Sequence, residues 1–315
     1  MEDFPRNQLE LEARFSTEVA CREYLFHIRW PHGFRCPDCG GQKTWALSHY
    51  LLQCSHCNRQ MTVTAGTIFQ DSRLPLALWF RAVWWVTSQK NGVSAMELQR
   101  VLGLKSYKTA WTLLYKLRRA MGSPDQEQLS GRVEVDEAYL GGEEEDAHGC
   151  KTETKALIVV AAEEDGLGIG RIRMHCIPDA SAESLVPFVQ NAVAPGSVVH
   201  TDGGLGYLPL ESKGYQHQVT YLKGDQKTPS EQMPRVQQVV PLLRCWIQGT
   251  LKGSVSLEHL EDYLNEYTYR FNRRKMRSKG RQFFLLLQRA VAIEPMPYKS
   301  LVRGPVTSKS VNEMM

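Results

Sequence analysis

A mixed α/β sheet flanked by helices, with two smaller modules ahead of it, is the fold this sequence predicts, and three observations predict it. Two Cys-x-x-Cys pairs, Cys36/Cys39 and Cys54/Cys57, stand near the start. Helix-period apolar spacing broken by glycine turns then runs to Met121. Beyond Gly131 the code changes to β-branched runs, two of which end at or near an aspartate, Asp136 and Asp202.

The composition allows this division. A chain of 315 residues has room for two or three domains, and 42% hydrophobic with 23% charged residues is ordinary for a globular protein and unlike a disordered one. A net charge of +4 is too mild to argue nucleic-acid binding alone, so that argument must rest on where the charges cluster. Of the cysteines, Cys21, Cys150, Cys176 and Cys245 stand alone and read as small hydrophobes, not as a secreted disulfide framework. The start, Met1 to Arg6, lacks the apolar core of a signal peptide, and no run approaches the ~18 apolar residues of a membrane span. The expectation is a soluble, intracellular protein with no membrane partner.

Each element follows in order. Cys21, Tyr24, Leu25 and Ile28 repeat at helical spacing, giving a short docking helix within residues 1–30. Residues 31–70 read as a zinc ribbon: each Cys-x-x-Cys turn aims two thiolates at one point, and Cys36, Cys39, Cys54 and Cys57 together make the tetrahedral sulfur set of structural zinc. Short strand-like runs at Thr44–Leu47, Leu51–Gln53 and Met61–Thr64 flank the second turn. A redox dithiol is the alternative. Residues 71–124 carry three helices. Pro75 opens the first, Ser94 and Glu97 form a capping box on the second, and Gly103 turns the chain into a basic third helix from Ser106 to Met121. That pattern is a helix-turn-helix, whose last helix reads the major groove from its N-terminal residues, here Lys105, Ser106, Tyr107 and Lys108. Lys116, Arg118 and Arg119 are expected as charges on its exposed end. A plain three-helix bundle is the alternative.

Residues 125–290 form the sheet domain, with strands at Val133–Leu140, Ala156–Ala161 and Ile169–Cys176 and a turn at Asp165-Gly166. The spaced Gly166, Gly168 and Gly170 belong to that turn, since a nucleotide loop would need a following Lys-Ser/Thr and a helix. Glu143 to Asp146 is an acidic run on a glycine-bounded loop, expected to be solvated. A helix from Ala182 to Val193 leads to the strand Ser197–Thr201, which delivers Asp202. Three hairpin-like strands, a helix, and a fourth strand beside the first give the order of an RNase H-like fold. The run from Arg270 to Arg281, with Arg270, Arg273 and Arg274 at its head, has few acids in it and is expected to contact DNA phosphates. Residues 291–315 are expected to be a C-terminal tail, frayed from Ser300 on.

Five stretches in this order resemble the insertion-sequence transposases that join an N-terminal zinc ribbon to an RNase H-like DDE domain, the ISXO-like group. They are Ala20 to Leu25, Ser106 to Trp111, Val135-Asp136-Glu137 with Gly141-Gly142, Thr201-Asp202-Gly203 with Gly206-Tyr207, and Tyr269 to Arg274. The resemblance covers about residues 15–290. It implies that two aspartates and a third residue on a late helix bind two magnesium ions, which cut the element's ends and join them to target DNA. Asp136 and Asp202 carry over, and the third position falls on Gln237 within Met233 to Val239. Glutamine ligates magnesium weakly and cannot act as a base. Arg244 stands where the family carries lysine, seven residues or almost two turns on, and would share a face with Gln237 near a DNA phosphate. Gly204 replaces a tryptophan often seen after Asp-Gly, and Glu231, just upstream in Thr-Pro-Ser surroundings that suggest a loop, is the alternative ligand. The implied partner is double-stranded DNA, bound by a homo-oligomer that brings two ends together at the bacterial nucleoid in the cytoplasm. The alternatives are a repurposed copy that binds DNA without catalysis, and a nuclease of the same fold.

Overall fold

A computed structural model describes residues 3–122, 127–141, 143–145, 151–153, 155–220, 232–251 and 257–302. The chain divides into two compact units, residues 1–123 with 276–315, and residues 124–275.

The first unit opens with α1 (Gln8–Arg14), capped by Asn7, and α2 (Glu18–Arg29), capped by Thr17. Cys21, Tyr24, Leu25 and Ile28 form the buried face of α2, as their spacing predicts. A three-stranded antiparallel sheet follows, β1 (Thr44–Ala46), β2 (Leu51–Cys54) and β3 (Gln60–Thr62). Helices α3 (Leu76–Ser88), α4 (Ala95–Leu102) and α5 (Tyr107–Met121) come next. The Ser94 side chain caps α4 through the Glu97 amide, and Gly103 ends that helix at φ 63°, a conformation that costs glycine little. Two expected surface charges of α5 are inside. Lys116 donates to the Ile68 carbonyl at 3.0 Å and Arg118 to that of Val93 at 3.4 Å. Long cationic stems pack as apolar surface when their heads find carbonyls, so charge alone misplaced them.

In the second unit β4 (Arg132–Leu140) pairs antiparallel with β7 (Ala156–Asp165), which pairs antiparallel with β8 (Gly168–Ile177). Between β4 and β7 the short β5 (Glu143–Glu145) and β6 (Lys151–Glu153) pair with each other. The acidic run expected as a loop is thus a strand at residues 143–145, while Asp146 lies outside the described residues. After α6 (Ala182–Ala192), β9 (Val198–Thr201) returns parallel to β4, and β10 (Gln216–Val219) adds parallel to β9. The sheet order β10-β9-β4-β7-β8 makes the first and fourth predicted strands neighbours, the RNase H-like arrangement. The 3₁₀ segment Leu205–Lys213 and β10 have no clear periodic signal in sequence. Strand alternation splits the core: Val133, Val135, Val159 and Ala161 pack with α6, whereas Ile158, Val160 and Ala162 pack with α7 (Pro234–Leu251) and α8 (Leu260–Asn272).

Two further helices belong to the first unit. Sequence order assigned most of α9 (Lys279–Ala292) to the segment 125–290, but it packs against α2, α3 and α5. Its Phe283 is fully buried, with its ring 5.7 Å from that of Phe80 and 5.9 Å from that of Trp84. In the stretch expected as a frayed tail, α10 (Tyr298–Val302) buries Leu301, an anchor that a tail lacks.

Candidate active site

The register of the sheet brings the two aspartates level. Val133 pairs with Val199 and Glu134 with His200, so two residues further on Asp136 stands opposite Asp202. β9 ends at Thr201 and turns away through Gly203, at φ 83°. Past Glu134, β4 keeps its β7 partner and loses its β9 partner, leaving Asp136 and Glu137 on an open edge. Carboxylate oxygens of Asp136, Glu137 and Asp202 all lie within 4.8 Å of one another. The Glu137 amide donates to Asp136 Oδ1 at 2.9 Å, and the Gly204 amide donates to Asp202 Oδ1 at 3.0 Å.

This crowding has an electrostatic cost. Burial, then Glu137 and Asp202, push the Asp136 carboxyl up to about 7, although the Glu137 amide and Gln237 draw it down. Burial also raises Glu137, with Asp202 adding to the rise and Tyr207 opposing it. Three carboxylates this close together are the hard oxygen donors a divalent cation takes, and such an ion would relieve their repulsion. Sequence reasoning passed over Glu137. The available signal was its adjacency to Asp136, although neighbours on a regular strand alternate faces.

Gln237, on the first turn of α7, donates from Nε2 to Asp136 Oδ2 at 3.0 Å. Its placement comes from a residue that sequence also missed. Glu134, 2% exposed, accepts from the backbone amides of Arg235 at 2.7 Å and Val236 at 3.1 Å, and from Arg235 Nη1 at 3.0 Å. A strand carboxylate thus caps the helix that carries Gln237, two residues along the same strand face from Asp136. The available signal was a lone charge inside Val133-Glu134-Val135. Arg235 also reaches Glu164 at 2.6 Å. Arg244, expected near a phosphate, donates to the Tyr139 carbonyl at 2.9 Å. Glu231 lies outside the described residues.

The head of the basic run is committed elsewhere. Arg270 donates to Glu266 at 2.7 Å, and Glu266 is fully buried. Arg273 lies 3.9 Å over the Tyr269 ring, and Arg274 donates to the Gly170 carbonyl at 3.1 Å and to that of Ile169. Arg270, expected at a DNA phosphate, is paired here with an acid one turn back on the same helix. Lys105, Ser106, Tyr107 and Lys108 are exposed at the start of α5, with Lys108 Nζ 3.9 Å from the centre of the Tyr298 ring.

Beside the three-stranded sheet the four thiols converge, Cys36 Sγ 3.6 Å from Cys57 Sγ and Cys39 Sγ 3.6 Å from Cys54 Sγ. Four sulfurs at about 2.3 Å from one zinc would sit about 3.8 Å apart, so the set fits that ion. Backbone amides of Cys57 and His56 hold the Cys54 thiol below its usual range, toward the thiolate a metal needs. Gly41 allows the packing, since a Cβ there would lie 3.2 Å from Cys54 Sγ.

An RNase H-like sheet with carboxylates on adjoining parallel strands, in a chain that also carries a four-cysteine ribbon, is a frame compatible with the polynucleotidyl transferase kind, and the family matches support that class. Residues 128–272 match the ISXO2-like transposase domain, and residues 16–60 match the transposase zinc-ribbon domain. The chain is 26% identical over 291 residues to an uncharacterized protein in transposable element ISH50 of Halobacterium salinarum, covering 85% of this chain and 95% of that one. The chain thus carries an ISXO2-like transposase domain behind an N-terminal transposase zinc ribbon.

Proposed function

We propose that the chain binds the terminal repeats of its own element and performs metal-dependent DNA end cleavage and strand transfer. The observation that carries this is the convergence of Asp136 and Asp202 on one open sheet edge inside the matched transposase domain. Magnesium bound there would supply an activated water or 3′-hydroxyl and stabilisation of the leaving oxygen in an in-line displacement at phosphorus. The chain's own part is positional. Asp136 and Asp202 present hard oxygens, Gln237 holds Asp136, and Glu134 holds the helix that carries Gln237. Helices α4 and α5 form the helix-turn-helix, reading DNA through Lys105, Ser106, Tyr107 and Lys108. Synapsis of two ends calls for a homo-oligomer working on DNA at the bacterial nucleoid.

The test is cleavage and joining of a DNA fragment that carries the inverted repeats flanking the gene, with magnesium or manganese present. Asp136→Ala should lower strand transfer by ~10³-fold or more while leaving binding of the ends unchanged. Unchanged transfer in that variant would sink the assignment. One observation favours a second reading, a DNA-binding protein without catalysis: Gln237 offers Asp136 a donor where a ligand or base is expected. That reading predicts end-specific binding with no joining in either metal, and a gain of joining in Gln237→Asp or Gln237→His.

A further inference from the structure

We propose that Glu137 is the third carboxylate of the metal centre, with Asp136 and Asp202, and that Gln237 is a positioning residue and not a ligand. This rests on reading the sheet edge as a divalent-metal site.

Consecutive residues of a strand paired on both sides point to opposite faces and would not share a site. β4 is paired on both sides only up to Glu134, so the side chains of 136 and 137 can both lean over the vacated edge toward Asp202. The outcome is three carboxylates mutually within 4.8 Å, one of them contributed by the neighbour of the first aspartate.

A separate observation points to something bound among them. Tyr207 is fully buried, and its hydroxyl meets the Glu137 carboxylate without the geometry of a full hydrogen bond. The charges around that hydroxyl are those of Glu137, Asp136 and Asp202. Its position is not slack, because Gly206 seats against the Ala180 carbonyl so closely that a Cβ would lie 2.4 Å from that oxygen. A buried hydroxyl whose one contact of this kind is a strained one to a carboxylate, beside further carboxylates that repel it, is a site short of a partner. A hydrated divalent cation supplies what both lack, positive charge for the carboxylates and water for the hydroxyl.

Gln237 turns its amide nitrogen toward Asp136, and the amide oxygen, the atom able to ligate, is not the one that meets that carboxylate. The reverse orientation would set oxygen against oxygen unless Asp136 held a proton.

Manganese titrated into the zinc-loaded full-length protein, with free Mn²⁺ read by electron paramagnetic resonance, tests the assignment. Glu137→Gln should weaken Mn²⁺ binding about tenfold or more, and Glu137→Asp less, whereas Gln237→Ala should weaken it less than about threefold. Far-UV circular dichroism should match the parent chain in all three. The proposal is overturned if Glu137→Gln binds Mn²⁺ like the parent chain, or if Gln237→Ala loses as much as Glu137→Gln. Asp136→Asn separates the two levels. Parent-like binding in that variant would bring down the metal reading of the sheet edge, whereas its loss beside parent-like binding in Glu137→Gln would overturn only the role given to Glu137.

Discussion

Glu134 is the side chain on which the relation between strand and helix depends. It is nearly inaccessible, and it satisfies two α7 amides and a guanidinium at once. Removing one partner of a buried ion pair leaves the other uncompensated, so Glu134→Ala should lower the unfolding free energy by about 3 kcal/mol, measured by urea denaturation. An unaltered midpoint would show that the Arg235 contact with Glu164 suffices. At this scale the sequence was readable where chemistry is declared by residue type. Asp136 and Asp202 each stand at a β-branched run, and Glu266 precedes Arg270 by four residues, a pairing open to inspection that was not weighed. Glu134 and Tyr207 were not readable, because what they do depends on groups brought near by the sheet, such as α7 amides about a hundred residues further along the chain.

Among the elements, the β7–β8 hairpin shows what periodicity leaves out. The register shifts between Ala162 and Glu164, which sets Glu163 opposite both Gly170 and Arg171. A side chain at Gly170 would meet Glu163 Oε2 at 3.0 Å, so the third glycine of the spaced trio is required by this bulge, while Gly166, at φ 58°, serves the turn. Burial pushes the Glu163 carboxyl up, but Arg171 and the amides of Ser130 and Arg171 overcome it and bring it down to about 2. A carboxyl held below its ordinary value of 4.5 stabilises the fold above that pH, and the contribution is lost as pH falls toward 2. Glu163→Gln should therefore lower stability at pH 7 by about 1–2 kcal/mol and flatten the acid-side decline between those two pH values, as read from thermal melts across that range. A decline as steep as that of the parent chain would assign the acid sensitivity to other carboxylates.

For the whole molecule, the order of modules was legible because each has its own period: paired thiols, then helical spacing, then alternation. The return of α9 to the first unit was not, since an amphipathic helix does not name the face it will cover. Its contribution should be large. Phe283→Ala removes a fully buried ring from the cluster with Phe80 and Trp84 and should cost about 3–5 kcal/mol, seen as loss of protection in α2 and α3 by hydrogen exchange. Removing zinc with a chelator should likewise strip protection from residues 36–62, and an exchange pattern indifferent to the chelator would count against a structural metal.

The discontinuity of the first unit bears on how the protein is made. Its residues 1–123 emerge from the ribosome long before residues 276–302, which supply α9 and α10. At roughly 5–20 residues per second, the intervening 124–275 segment can fold while Phe80 and Trp84 still wait for Phe283. Synthesis thus imposes a sequence of events: the unit with the carboxylate edge can mature on the nascent chain, and the helical unit closes only when translation has passed α9.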